Sequence, residues 1–219
     1  MQHVIWDWNG TLLDDIHIVV DAVSETVAAF GVPTLTIEDH ARLFTRPVSV
    51  FYERMLGRPI TGTEWRQLDD TFHEAYARRM VEAELSVGAH QILGDLAEQG
   101  KSQSLLSMAP HDHVLERAAT FGVDQYMIRI DGLRDGSGAL KESSMSAHLS
   151  ALLAHPTAPD DPGAYVVIGD SLDDAKAARA NRVPAVMFAS GSHHRADLVA
   201  TGFPVADTLH DAVRIAMDQ

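Results

Sequence analysis

Four short, continuous apolar runs limit the folds open to this chain more than any other feature of the sequence. Each run is bounded by Asp, Gly or Pro and lacks strand-like alternation, which is typical of strands buried on both faces of a parallel sheet. Helix-period stretches lie between the runs, so the pattern predicts an α/β fold with a doubly wound parallel sheet. The apolar runs are residues 3–8, 104–108, 165–168 and 185–189, and the helical stretches are residues 89–99, 113–121, 144–153 and 173–181.

The gap between the first two predicted strands is too long for one strand-helix-strand unit. Asp7 and Ser107 are 107 − 7 = 100 residues apart, whereas such a unit takes about 30 residues. Helix-like stretches without strand-like alternation fill this gap, at residues 18–30, 48–56 and 62–84. The sequence therefore predicts an all-helical segment over residues 16–85, which we call the cap, inserted into a core of residues 1–15 and 86–219.

Acidic residues follow two of the predicted strands. Asp7 ends the first run, and Asp170 follows the run at residues 165–168. Ligands of a doubly wound sheet bind at the carboxyl ends of its strands, so we expect both carboxylates at one edge. A turn or capping role is the alternative for Asp7 alone. Two carboxylates at the same edge suit a hard cation such as Mg²⁺, which prefers oxygen ligands.

Four motifs occur in the order seen in the haloacid dehalogenase superfamily, which the chain resembles over nearly its whole length. The resemblance implies a Rossmann-like core, and the inserted cap is similar to that of the small-cap subclass, which includes phosphoglycolate phosphatase-like enzymes and β-phosphoglucomutases. It further implies a Mg²⁺-dependent phosphatase, a hydrolase that acts on a small phosphorylated metabolite. The motifs are Asp7-Trp8-Asn9-Gly10-Thr11-Leu12, Ser107 after two leucines, Lys141, and Gly169-Asp170-Ser171 with Asp174.

The resemblance also implies a nucleophile and a metal site. Asp7 would attack the phosphoryl group and form an aspartyl-phosphate, which water would then hydrolyse. Mg²⁺ would be held by the side chains of Asp7, Asp170 and Asp174. The backbone carbonyl of Asn9 would complete the protein ligands.

Four residues are expected to contact the substrate. Ser107, with Met108 beside it, would hydrogen-bond to a phosphoryl oxygen, and Lys141 would neutralise charge there while restraining Asp7. Lys141 departs from the family pattern because Glu142 follows it where proline is common. Arg46 lies near the position where related caps place a substrate-contacting loop, and its guanidinium could bind a second anionic group. An ordinary surface arginine is the competing interpretation.

Asn9 is the position at which the chain resembles the family in sequence but lacks the acid that the family's phosphatases use. Phosphatases of this family carry an Asp two residues after the nucleophile, which protonates the leaving oxygen and later activates water. An amide cannot transfer a proton, and general acid–base help is worth about 10²–10⁴ in rate. We therefore expect slow turnover of alkyl phosphates and better turnover of acyl and aryl phosphates. His17 and Asp15 are candidates for a replacement acid.

Three alternatives remain open. The chain could be a catalytically silent module that binds a phosphorylated ligand or a protein. It could resemble phosphonoacetaldehyde hydrolase, but that enzyme needs a cap lysine, and residues 1–100 contain none. Asn9 could also be a substitution for a native Asp, or an Asn-Gly pair that deamidates to Asp.

Charge and composition limit the classes of binding partner and the cellular compartment that we expect for this chain. The formal net charge of −14 disfavours binding to nucleic acid or to an anionic membrane surface. The chain has no cysteine, so thiolate chemistry is excluded. The first residues lack a basic leader, and no apolar run reaches the length of a membrane span. We expect a cytoplasmic protein that acts as a monomer or a loose dimer.

Overall fold

The computed structural model describes residues 2–134 and 140–218, and its centre is a parallel β-sheet. The strands are β1 His3–Trp6, β2 Leu13–Asp14, β3 Glu84–Leu85, β4 Ser102–Pro110, β5 Arg129–Leu133, β6 Tyr165–Gly169, β7 Ala185–Phe188 and β8 Val205–Ala206. Six of these strands pair in the order β5-β4-β1-β6-β7-β8, and every neighbouring pair is parallel. The predicted α/β fold with a doubly wound parallel sheet is confirmed.

Helices connect the strands and cover the sheet. Within the described residues, no helix is both long enough and apolar enough to cross a membrane. The helices are α1 Ile16–Ala28, α2 Ile37–Leu43, α3 Val48–Leu56, α4 Gly62–Arg79, α5 Ala89–Glu98, α6 His111–Thr120, α7 Lys141–Leu153, α8 Leu172–Asn181, α9 Arg195–Ala200 and α10 Leu209–Met217.

The central strands are buried along their full length, as their apolar sequences require. All residues of β1 and β6 are buried, because helices pack on both faces of a parallel sheet. The cap has an apolar cluster of its own, in which Val23 and Val27 of α1 pack with Phe51 and Tyr52 of α3 and with Leu68 of α4. This cluster gives the cap helices a shared interior apart from the sheet.

The chain passes from the core into the cap and back at one place. There β2 and β3 form a two-stranded antiparallel ladder, in which Leu13 pairs with Leu85 and Asp14 with Glu84. The ladder joins the chain segments just before residue 16 and just before residue 86. Its strands are two residues long and were not predicted.

Several other elements differ from the sequence-based expectation. The predicted helix at residues 62–84 is too long, since α4 ends at Arg79 and a 3₁₀ turn leads into β3. Helix α2 was not predicted, although Thr36 and Asp39 form a capping box at its start. Edge strand β5 was also missed, because its sequence carries Arg129 and Asp131 rather than an apolar run.

A chain of buried hydrogen bonds crosses the sheet from β1 to β5. His3 Nδ1 lies 2.7 Å from Ser102 Oγ, and His3 Nε2 lies 2.8 Å from Ser104 Oγ. His148 of α7 continues the chain, with its Nε2 2.8 Å from Ser104 Oγ and its Nδ1 2.7 Å from Asp131 Oδ2. Burial lowers the pKa of His148, against the raising effect of Asp131, and burial lowers the pKa of His3 to about 3. Both rings are therefore neutral at neutral pH.

The neutral rings fix the direction of every hydrogen bond in this chain. The Asp131 carboxylate can only accept, so His148 Nδ1–H donates to it and His148 Nε2 accepts the Ser104 hydroxyl. Ser104 Oγ then accepts from His3 Nε2–H, and His3 Nδ1 accepts from the Ser102 hydroxyl. Every member is satisfied, which is the condition for a stable buried polar network.

Candidate active site

The carboxyl ends of three neighbouring strands bring the motif residues together. Asp7 directly follows β1, Asp170 directly follows β6, and Ser107 lies in the last half of β4. The register pairs Trp6 of β1 with Leu105 of β4 and with Ile168 of β6. The next residues of all three strands therefore lie at the same edge of the sheet, where ligands of this fold class bind.

Lys141 lies between two of the carboxylates. Its Nζ is 2.5 Å from Asp7 Oδ1 and 2.5 Å from Asp174 Oδ1, and all three side chains are less than 10% exposed. Burial alone would lower the pKa of Lys141, but Asp174 and Asp7 outweigh burial and raise it. The lysine is thus held as a cation at the first residue of α7.

The site carries more negative charge than Lys141 can balance. Asp7, Asp170 and Asp174 are buried, and each places a carboxylate oxygen within 4.8 Å of the others. With one lysine, the formal charge is −3 + 1 = −2. Burial, with Asp174 as the next cause, raises the pKa of Asp7 well above its usual value and the pKa of Asp170 to about 6. A buried charge imbalance of this size favours a bound divalent cation, so the donor set fits Mg²⁺.

Neighbouring groups hold Asp170 in place. Ser190 Oγ donates a hydrogen bond to Asp170 Oδ2 at 2.9 Å, and Thr11 Oγ1 donates to Oδ1 at 3.4 Å. Gly10 passes close to the same carboxylate with φ at +71°, and a Cβ there would lie 2.1 Å from Asp170 Oδ2. Only glycine fits this position, for steric and conformational reasons together.

Asn9 is held by the cap linker and by a cap helix. Its Nδ2 donates to Asp15 Oδ2 at 2.7 Å and to the hydroxyl of Tyr76, on α4, at 2.9 Å. The Tyr76 hydroxyl donates to Asp15 Oδ2 at 2.6 Å, and the Gly10 backbone N–H donates to Asp15 Oδ1 at 2.9 Å. Burial raises the pKa of Asp15, opposed by these hydrogen bonds, and burial with the Asp15 charge raises the pKa of Tyr76. Of the two candidate replacement acids, Asp15 contacts Asn9, whereas His17 is exposed on α1.

The remaining predicted residues lie near the cluster or at its border. Ser107 is buried, and its Oγ accepts a hydrogen bond from the Ala109 N–H at 3.0 Å, which leaves the hydroxyl proton to donate. Met108 follows in β4 and is partly buried. Arg46 of the cap lies 2.7 Å from Asp173 of the core in an ion pair, and its side chain is 53% exposed. The structure therefore places Arg46 at the cap–core border.

Ser190 and Tyr76 are among the contacts of the site that were not foreseen from the sequence. Ser190 follows β7, a strand that the sequence did predict, so its position after a strand end was a usable signal. Tyr76 lies within a long helix, and nothing in the local pattern distinguishes it from the other aromatic residues of the cap. Its role in the site becomes visible only when α4 is packed against the core.

Comparison with known proteins gives one family and a set of similar folds. The family model described as haloacid dehalogenase-like hydrolase matches residues 1–181. Among curated proteins, no significant match was found.

Three solved structures illustrate the structural similarity. A predicted phosphatase from Clostridium acetobutylicum is 17% identical, with a TM-score of 0.81 over 100% of this chain and 99% of that chain. A haloacid dehalogenase-like family protein from Streptococcus pneumoniae has the same identity, TM-score and coverage. A predicted phosphoglycolate phosphatase from Haemophilus somnus is also 17% identical, with a TM-score of 0.75 over 99% of this chain and 98% of that chain. At these identities the likeness establishes the fold.

Proposed function

This chain belongs to the haloacid dehalogenase-like hydrolase family, and from that premise we propose that it is a Mg²⁺-dependent phosphohydrolase acting on a small phosphorylated metabolite. One observation carries the proposal. Lys141 Nζ lies 2.5 Å from Asp7 and from Asp174 within a buried cluster of three carboxylates. An acidic cluster with a fixed cation suits in-line transfer of a phosphoryl group to a carboxylate. The two structures among the similar folds that are described as predicted phosphatases support the same reaction class.

Asp7 acts as the nucleophile in this proposal. One of its carboxylate oxygens forms a bond to phosphorus while the bond from phosphorus to the leaving oxygen breaks, which gives an aspartyl-phosphate. Water then forms the new bond to phosphorus, the Asp7 carboxylate leaves, and the water proton ends on the phosphate product or in solvent. Lys141 keeps Asp7 in place and offsets phosphoryl charge, and the Ser107 hydroxyl donates to a phosphoryl oxygen.

The metal ligands are proposed from the same cluster. The side chains of Asp7, Asp170 and Asp174, with the backbone carbonyl of Asn9, would hold Mg²⁺. When bound, the cation offsets the charge of the substrate phosphate and of the carboxylates.

Asn9 limits the substrates that the proposed enzyme can turn over quickly. Its amide cannot protonate a leaving oxygen, so leaving groups of low basicity are favoured. We therefore propose that acyl and aryl phosphates react faster than alkyl phosphates, by a factor within the roughly 10²–10⁴ range of general acid catalysis.

The cap selects the substrate in this proposal. Residues 16–85 form the cap domain, and residues 1–15 and 86–219 form the core domain that carries the chemistry. Arg46, on the cap side of the border, binds a second anionic group of the substrate, and Met108 lies beside the phosphate-binding Ser107. The active unit is a monomer or a loose dimer.

The test is a phosphate-release assay with acetyl phosphate, p-nitrophenyl phosphate and a set of sugar phosphates, with and without Mg²⁺. We expect Mg²⁺-dependent release that is fastest with the first two compounds, and none from the Asp7→Ala variant. Peptide mass spectrometry of the assayed sample would verify that Asn9 is not deamidated. A chain with intact Asn9 that releases no phosphate from any compound would instead be a ligand-binding module.

A further inference from the structure

A cap side chain reaches the loop that carries the proposed nucleophile. The Tyr76 hydroxyl lies 2.9 Å from Asn9 Nδ2 and 2.6 Å from Asp15 Oδ2. Asp15 is 1% exposed and is the core residue that immediately precedes α1 of the cap, while Asn9 is two residues after Asp7. These three side chains form a closed triangle of hydrogen bonds between the cap and the core.

The donors in this triangle can be assigned completely. Asp15 accepts from the Asn9 amide, the Tyr76 hydroxyl and the Gly10 N–H, so all of its contacts are those of an acceptor. Tyr76 has one hydroxyl proton, which it gives to Asp15, and its oxygen can therefore accept from Asn9. Both N–H groups of the Asn9 amide are then used, one by Asp15 and one by Tyr76.

The orientation of the amide follows from this assignment. The two atoms at the end of an asparagine side chain diverge from one carbon, so fixing Nδ2 toward Asp15 and Tyr76 turns Oδ1 to the other side. A rotated amide would place its oxygen against the Asp15 carboxylate and leave Tyr76 Oη without its donor, which costs about 1–3 kcal/mol for each unmatched buried group. Position 9 therefore offers a fixed acceptor rather than a donor.

We propose that Tyr76 and Asp15 are positioning residues that anchor the Asn9 amide, so that its carbonyl oxygen is the atom presented to the reacting phosphoryl group. This inference rests on the proposed hydrolase function. An acceptor at this position can hold a water molecule or a substrate hydroxyl by its hydrogen, but it gives no support to a leaving oxygen that gains negative charge. The arrangement also explains Asn9 itself, because an acid at position 9 would face the Asp15 carboxylate.

The direct test uses the side-chain amide of Asn9 as its own probe. In ¹⁵N-labelled protein, the resonance that disappears in the Asn9→Ala variant identifies the amide, and its hydrogen exchange reports the two hydrogen bonds. We expect Tyr76→Phe to speed this exchange about tenfold, the effect of losing one hydrogen bond. Tyr165→Phe is the matched control, since the Tyr165 hydroxyl donates to the Pro159 carbonyl, far along the chain from Asn9.

Kinetics then separate positioning from general stability. With p-nitrophenyl phosphate, we expect Tyr76→Phe and Asp15→Asn each to lower kcat about tenfold with little change in KM. Their effects should not add in the double variant, because both act through one amide. The control variant should keep the wild-type kcat, even if it loses a similar amount of thermal stability.

Two results would overturn the positioning role. They are an unchanged Asn9 amide exchange in Tyr76→Phe, and a loss of kcat that the control variant shares. Failure of the hydrolase proposal is distinguishable, because the exchange measurement needs no turnover. The wild-type protein could be inactive while its Asn9 amide is protected from exchange and Tyr76→Phe removes that protection. This result would support the positioning role and contradict the phosphatase function.

Discussion

At position 9, the charge of a single side chain affects both stability and chemistry. The partly buried Asn9 amide donates to the buried Asp15 carboxylate at 2.7 Å. We expect Asn9→Asp to lose about 1–3 kcal/mol of unfolding free energy, because two carboxylates replace a donor–acceptor pair. Urea unfolding at neutral pH measures this loss. It follows that Asn9→Asp alone is a poor test of the missing acid.

Exchanging the two residues supplies the better test. In the Asn9→Asp/Asp15→Asn double variant, the amide moves to position 15 and can donate to the new carboxylate. We expect it to recover most of the stability lost by the single variant, and to gain rate on alkyl phosphates by up to roughly 10²–10⁴. A double variant no more stable than the single one would show that the Asn9–Asp15 contact does not determine the choice of residue.

Asp7 contributes to the proposed reaction at the expense of stability. Its pKa is raised, chiefly by burial, so the folded state binds a proton more tightly than the unfolded state, and the stabilising effect of that proton is lost as pH rises. At neutral pH and without Mg²⁺, we therefore expect Asp7→Asn to raise the Tm. Added Mg²⁺ should raise the Tm of the wild type more than that of the variant.

Asp131→Asn is the control for this prediction, because we expect it to lower the Tm rather than to raise it. The pKa of Asp131 is lowered to about 2, since its hydrogen bonds to His148 and Arg129 outweigh burial. Its carboxylate therefore stabilises the fold at neutral pH, and its replacement should lower the Tm. A lower Tm for Asp7→Asn as well would contradict the proposed charge imbalance at the site.

The sequence located the charged centre of the site better than its surroundings. Asp7, Asp170 and Lys141 were named from motif order, and the structure brings them together because strand ends and a helix start converge at one edge. Ser190 belongs to no motif, and only its position after β7 was a usable signal. Tyr76 could not be named from the sequence, because its contacts depend on how α4 packs against the site, which one-dimensional spacing does not encode.

At the scale of elements, the hydrogen-bond chain through His3 makes the stability of the sheet depend on pH. The pKa of His3 is lowered to about 3 by burial, so between that value and about 6.5, the ordinary pKa of histidine, the unfolded state binds a proton that the folded state refuses. Stability due to His3 is thus present at neutral pH and is lost as pH falls. From about pH 7 to about pH 5, the loss should reach up to about 2 kcal/mol.

The His3→Gln variant isolates this effect. Gln keeps hydrogen-bonding capacity without a titrating ring, and buried carboxylates contribute equally to both proteins. We expect the unfolding free energy of the wild type to fall more steeply on acidification than that of the variant. Parallel pH profiles in urea unfolding would mean that His3 is protonated in the folded state.

The sequence predicted helices and strands correctly where the polarity of a segment matches its burial in the fold. The runs that became β1 and β6 are apolar because both faces of these strands are covered, and most residues of β4 and β7 are buried as well. Edge strand β5 has only one neighbouring strand and tolerates Arg129 and Asp131, so its sequence does not indicate a strand. The two-residue ladder strands are set by the geometry of the cap linker.

At the scale of the whole molecule, Arg46 of the cap forms an ion pair with Asp173 of the core, and in the proposed function an anionic group of the substrate takes the place of Asp173. Its ion pair with Asp173 is half exposed, so its contribution to stability is small. We expect Arg46→Ala to change the unfolding free energy by less than about 1 kcal/mol. For a phosphorylated carboxylic acid, KM should rise about tenfold through the loss of a charged contact, while KM for p-nitrophenyl phosphate should stay near the wild-type value.

Arg42→Ala is the matched control for Arg46→Ala. Arg42 lies in the same region of the cap, is 63% exposed and pairs with Glu38 within α2. Its replacement should leave both KM values unchanged. Equal effects of the two variants on the phosphorylated acid would point to the general charge of the cap rather than to a contact made by Arg46.

If the cap rotates about the β2–β3 ladder, the displacement of each cap residue grows with its distance from the ladder. Helix α4 has 18 residues, which corresponds to a lever arm of about 27 Å from its end near the ladder. Tyr76 lies three residues from that end, at about 4.5 Å. A swing of about 10° would therefore displace the far end by about 5 Å and Tyr76 by only about 1 Å. Such a rotation would therefore move Tyr76 far less than the opposite end of α4.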